Sequence, residues 1–138
     1  MNIDKNKTLE QLENSYWNDY EFETGLVERC HKYRKIQLKD LTIENLRTLI
    51  GQNIGNRFLI PLALEELEKN ILAEGDMYEG DLLMEVLRSE KDYWKNNKND
   101  WQKMIFLFNK NIQLLKEYDT LDRIKKEWFN TFQIFKEY

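Results

Sequence analysis

The sequence predicts an all-α protein, a compact bundle of about six or seven helices with a C-terminal helical hairpin. Three observations lead there. Apolar residues recur at helical spacing along most of the chain. Good capping residues, Thr8 and Thr42, precede two of the apolar stripes. No β-branched alternation runs beyond about four residues. At 138 residues the chain has the usual size of one domain. We read 1–138 as a single domain: a flexible 1–7, a helical core over 8–95, and amphipathic C-terminal helices over 99–138 packed on it.

Thr8-Leu9-Glu10-Gln11 has the capping-box pattern, and Leu9, Leu12 and Tyr16 continue at helical spacing. This helix is expected to end near Trp17, with a turn at Asn18-Asp19. Phe22 to Lys35 reads as the second helix, with Phe22, Leu26, Cys30 and Tyr33 on one face. Cys30 is thus a small core residue. Ile36 to Leu41 is a connector that tucks its leucines inward. Thr42 caps the third helix, Glu44 favours its dipole, and Ile43, Leu46, Leu49 and Ile50 form its apolar face. Gly51 weakens this helix and Gly55 ends it. Ile54 to Ile60 reads as an apolar, buried loop leading to Pro61, which suits the first turn of the next helix. There Leu62, Leu64, Leu67 and Ile71 point inward, while Glu65, Glu66, Glu68 and Lys69 point outward.

Ile71 to Asp81 follows as a shaped acidic loop with two Gly-Asp pairs, Gly75-Asp76 and Gly80-Asp81. Asp81 is expected to cap a short helix, Leu82 to Arg88. Lys91 to Lys95 adds a turn around Tyr93 and Trp94. The polar run 95–100 is the best internal boundary. Beyond it, Trp101, Met104, Ile105, Phe108, Ile112 and Leu115 share one helical phase. Leu121, Ile124, Trp128, Phe132 and Phe135 share another, offset by about 240° on a straight helix. A break at Tyr118–Thr120, capped by Asp119 or Thr120, and antiparallel pairing resolve the mismatch.

The net charge is −4, which disfavours general nucleic-acid binding. The charge is polarised. Positions 29–39 hold five bases and no acid: Arg29, Lys32, Arg34, Lys35 and Lys39. Positions 65–81 hold seven acids and one base, Lys69. Such asymmetry suits charge-steered recognition of a partner. One cysteine rules out an intrachain disulfide and fits a reducing compartment. The polar N-terminal stretch has no secretory pattern, and no apolar run nears the roughly 20 residues of a membrane span.

Catalytic patterns are not found. Cys30 and His31 are neighbours, so on a helix they diverge by about 100° and cannot act as nucleophile and base. There is no second histidine for a metal site, no P-loop and no dinucleotide fingerprint. Gly51-x-x-x-Gly55 lacks the strand and lysine of a phosphate loop. Glu74, Asp76, Glu79 and Asp81 have the chemistry of an acid–base pair or a cation site, but not the spacing of an EF-hand. We expect no catalytic residue, cofactor or metal.

Several segments carry a family resemblance. They are Thr8 to Glu13 with Trp17; Leu26 to Lys35; Leu41 to Gly55; Leu59 to Glu65; and Ala73 to Leu83, AEGDMYEGDLL. In this order and spacing, over roughly Thr8 to Trp94, the chain resembles immunity proteins of bacterial contact-dependent growth inhibition (CDI) systems. The resemblance implies a non-catalytic cytoplasmic protein. Its partner would be the cognate CDI toxin C-terminal domain, often a nuclease with a basic active site. With the net charge and the lack of a membrane-length apolar run, no direct nucleic-acid or membrane partner is expected. The exposed acids Glu65, Glu66, Glu68, Glu74, Asp76 and Glu79 are then the toxin-binding candidates. The rival reading is a helical nucleic-acid-binding or regulatory adaptor module using the basic run 29–39.

Overall fold

The computed structural model describes residues 2–18 and 24–138. Among them are nine α-helices: α1 (Leu9–Glu13), α2 (Gly25–Tyr33), α3 (Ile43–Gly51), α4 (Asn56–Lys69), α5 (Asp81–Arg88), α6 (Lys91–Asn96), α7 (Lys98–Lys110), α8 (Ile112–Glu117) and α9 (Asp122–Phe135). A 3-10 turn at Leu38–Asp40 joins α2 to α3. The extended pairings among the described residues are two isolated bridges, Thr8 with Gln37 and Glu74 with Glu79. The all-α class is as the sequence predicts.

The two threonine caps form. Thr8 Oγ1 accepts from the Gln11 amide at 3.2 Å, and Gln11 Oε1 accepts from the Thr8 amide at 2.9 Å. Thr42 makes the same reciprocal pair with Asn45. The first helix stops sooner than Trp17, because Asn14 turns into the left-handed region at φ 49° and asparagine tolerates that conformation. The expected turn at Asn18-Asp19 and the expected start at Phe22 reach outside the described residues; α2 begins behind Thr24, whose side chain accepts from the Val27 amide. Where the sequence reads as a flexible end, the Lys5 and Lys7 carbonyls accept from the Lys39 and Leu38 amides.

The connector before Pro61 differs from expectation. It is not a loop: α4 starts at Asn56, and Pro61 lies inside it. Gly55, at φ +69°, reverses the chain after α3 and caps α4, and its carbonyl accepts from the Phe58 and Leu59 amides. The apolar run 58–60 is therefore the buried face of a helix. Proline is tolerated there because the carbonyl its missing N–H would have served belongs to Arg57, an exposed residue. Leu59, Ile60 and Ala63 are fully buried, which outweighs the local penalty.

The core is built on α5. Its Leu82, Leu83, Val86 and Leu87 are fully buried, with α3 and α4 packed on it and α9 across it. Trp94 closes one end: its ring meets Phe135 edge-on at 4.7 Å, and its Nε1 donates to Ser89 Oγ. The C-terminal hairpin is antiparallel. Trp101 Nε1, early in α7, donates to the Phe135 carbonyl, and Phe108 stacks on Phe132 at 3.8 Å. The first of its two predicted stripes is divided at Asn111 into α7 and α8, where Asn111 Nδ2 donates to the Leu107 carbonyl. The break after Tyr118 is present, but neither Asp119 nor Thr120 caps α9; its N-cap is Leu121, with no side-chain bond. The polar run 95–100 interrupts the helices only at Asn97. No helix among the described residues is long and apolar enough to cross a membrane.

Gly55 also fixes the approach of α1. A Cβ there would lie 2.8 Å from both methyl carbons of buried Leu9, at a backbone angle unfavourable for other residues. Gly55→Ala should therefore cost about 2–3 kcal/mol in urea unfolding, combining overpacking with left-handed strain.

Candidate functional site

The acidic loop between α4 and α5 is held from three sides. The Gly80 amide donates to the Leu72 carbonyl and closes the loop. Asp81 then turns its carboxylate back into it. Oδ1 accepts from the Gly75 amide at 2.7 Å; Oδ2 accepts from Met77 at 3.0 Å and Tyr78 at 3.3 Å. Asp81 is the first residue of α5 and 2 % exposed, so it is not the N-cap expected; Gly80, at φ +91°, takes that place. The loop's own amides compete successfully for the carboxylate.

From α3, Glu44 Oε1 accepts from the Asp76 amide at 2.9 Å. Arg47 clamps Glu44 through two bonds, Nε to Oε1 at 2.5 Å and Nη2 to Oε2 at 2.6 Å. Its Nε is also 3.6 Å from Asp81 Oδ2. The Arg47 hydrogen bond is the main reason the Glu44 carboxyl lies below the usual carboxylate range, against the opposing effect of burial; the Asp76 amide adds to the lowering. From below comes Trp128 of α9, whose Nε1 donates to the Gly80 carbonyl at 3.3 Å. A Cβ on Gly80 would fall 2.3 Å from the Trp128 ring, so this close approach requires glycine.

The six acidic candidates fall into two groups. Glu65, Glu66 and Glu68 lie near the end of α4, and each has a lysine partner: Lys5 at 3.1 Å, Lys69 at 3.5 Å and Lys103 at 3.2 Å. Glu74, Asp76 and Glu79 are exposed on the loop. Tyr118 Oη donates to Glu79, and that bond raises the phenol pKa. Among the described residues, neither Glu74 nor Asp76 has a cationic side chain at ion-pair distance. Met77, 67 % exposed, stands between them and Glu79. Sequence reasoning missed Glu44, Arg47, Met77 and Trp128. Glu44 and Arg47 have the i, i+3 spacing of a helical ion pair, the only sequence signal.

One member of the basic run turns inward. Arg34 is buried, donating to Glu13 at 3.0 Å and the Ser15 carbonyl at 2.9 Å, with its guanidinium 4.3 Å from the Trp17 ring. Cys30 and His31 are buried too, and burial pushes the Cys30 thiol up. Among the described residues no group of three or more histidine, cysteine or acidic side chains could hold a metal ion.

A family model of CDI immunity proteins matches residues 11–104. The chain belongs to this family. The matched region contains Glu44, Arg47 and the whole acidic loop. Helices α8 and α9 lie beyond it, so the immunity-family region rests on Trp128 from outside the match. No curated protein and no solved structure matches the chain.

Asp81→Ala should leave three loop amides unsatisfied. Amide exchange at Gly75, Met77 and Tyr78 should accelerate, and stability should fall by about 2–4 kcal/mol. Acid should loosen the same loop through Glu44. Its folded pKa is depressed, so its stabilisation is complete above the ordinary carboxyl pKa and lost as pH falls through the lowered one. Protection of the Asp76 amide, relative to its intrinsic exchange rate, should therefore fall as pH drops below the ordinary carboxyl range, and Glu44→Gln should show the lower protection already at neutral pH.

Proposed function

We propose that this immunity protein neutralises its cognate CDI toxin domain by laying its acidic surface over a basic, nuclease-type active site. The observation that carries the reading is the pair Glu74 and Asp76, exposed and without a lysine partner among the described residues, on a backbone already fixed by Asp81 and Glu44. Carboxylates so placed imitate phosphates for a site built to hold nucleic acid. They steer the encounter, and a pre-set loop loses little entropy on docking. Glu79 extends the surface toward Tyr118. Glu65, Glu66 and Glu68 form its margin, their charge partly offset by lysines. Neutralisation is stoichiometric, needs no cofactor, and takes place in the cytoplasm.

The test is co-purification with the toxin domain encoded immediately upstream, with growth rescue on co-expression. Failure of both removes the reading. Glu74→Lys with Asp76→Lys should weaken binding about 10- to 100-fold, mostly through slower association and with a changed salt dependence, while helical circular dichroism stays the same. Unchanged affinity in that folded variant would place the contact face elsewhere on the molecule.

A further inference from the structure

Beside the acidic loop, α2, α3 and α5 leave a cleft of about 290 Å³ lined by Arg29, Arg47 and Arg88, with Glu85 as its one carboxylate among the described residues. The described lining, three arginines and one glutamate, therefore carries a formal charge of +2, in a protein whose net charge is −4. This is where the basic run acquires a role, through Arg29 alone. Arg47 is committed to Glu44 on its far side. Arg29 and Arg88 are exposed, and neither has a carboxylate at ion-pair distance among the described residues. Glu85 is half-buried against α3: a Cβ on Gly51 would sit 3.0 Å from its Oε2.

Two guanidinium groups in one small cleft, neither with a carboxylate at ion-pair distance among the described residues, match the planar, two-oxygen geometry of a carboxylate. The volume is at the bottom of the range for small-molecule pockets, roughly 300–1,000 Å³, and suits a single side chain. Position names its source. Arg47 lines the cleft on one side and latches the acidic loop on the other, so a protein covering the loop reaches the cleft as well. We infer that the Arg29–Arg88 cleft receives an aspartate or glutamate side chain of the toxin domain, an inference that rests on the reading above. The interface then presents a negative loop and a positive cleft side by side. Only one orientation of the partner satisfies both, and a generic basic surface is rejected. Glu85, on which Arg88 and Arg47 already act electrostatically, competes with the incoming carboxylate for Arg88.

The experiment uses the full chain and the purified toxin domain, with binding followed kinetically and folding by circular dichroism. Arg29→Met with Arg88→Met should weaken binding about tenfold or more, chiefly through faster dissociation. The double lysine variant should fall in between, since it keeps the charge but loses the fork. Glu85→Gln, which removes the competitor, should strengthen binding several-fold. One acidic residue of the toxin, changed to its amide, should reproduce the loss and add nothing to the arginine variant.

If the methionine and Glu85→Gln variants both bind as wild type while Glu74→Lys/Asp76→Lys still weakens binding, the inference is overturned and the proposed function stands. Absence of any toxin acid coupled to the arginines overturns it equally. If unmodified protein forms no complex, both fall. Should the methionine variant misfold, Glu85→Gln decides, and unchanged or weaker binding is the negative result.

Discussion

Asp81 brings a carboxylate to a place where water has little access, and three backbone N–H groups converge on it. Removing a carboxylate from water costs several kcal/mol unless hydrogen bonds and opposite charge replace the lost hydration. Here the replacement comes from three sources. The loop supplies amides, the first turn of α5 supplies its positive dipole end, and Arg47 supplies a cation 3.6 Å away. The dependence is mutual, because the loop has few other partners for those amides. The acidic surface thus has a fixed shape because one buried charge needs it to.

The arrangement separates two uses of like charge. Asp81 and Glu44 face inward and are satisfied by amides and Arg47. Glu74 and Asp76 face outward, with solvent around them. Mutual repulsion in such a loop would otherwise favour opening it. Arg47 offsets that repulsion from within, while Glu74 and Asp76 keep no cationic side chain at ion-pair distance among the described residues. The lysines around α4 act differently: they pair on the surface, where each contact contributes about 1 kcal/mol at most.

Local rules served well where local forces decide. The threonine boxes, the apolar stripes and the phase change that demands a hairpin could all be read from neighbours in sequence. They failed where a distant group won. Pro61 reads as a helix start, but burial of Leu59 and Ile60 carries the helix past it. Asp81 reads as a cap, yet its carboxylate is claimed by the loop before it. The exposed acids were identifiable from the polar side of each stripe. Their neutralisation was not, since Lys5 lies 60 residues from Glu65 and Lys103 belongs to another helix. The basic run is only partly legible for a related reason, because a charge count cannot see that Arg34 turns inward onto Trp17.

Trp128 meets Gly80 across 48 residues of sequence. A ribosome makes the loop first and its support much later. Until the chain has been synthesised past α9, Gly80 has no indole beneath it and α5 lacks one of its packing partners. The loop therefore takes its final form late in the life of the nascent chain. Chains cut between residue 104 and Trp128 contain the whole region that the family model matches, yet lack the floor on which its acidic loop is set.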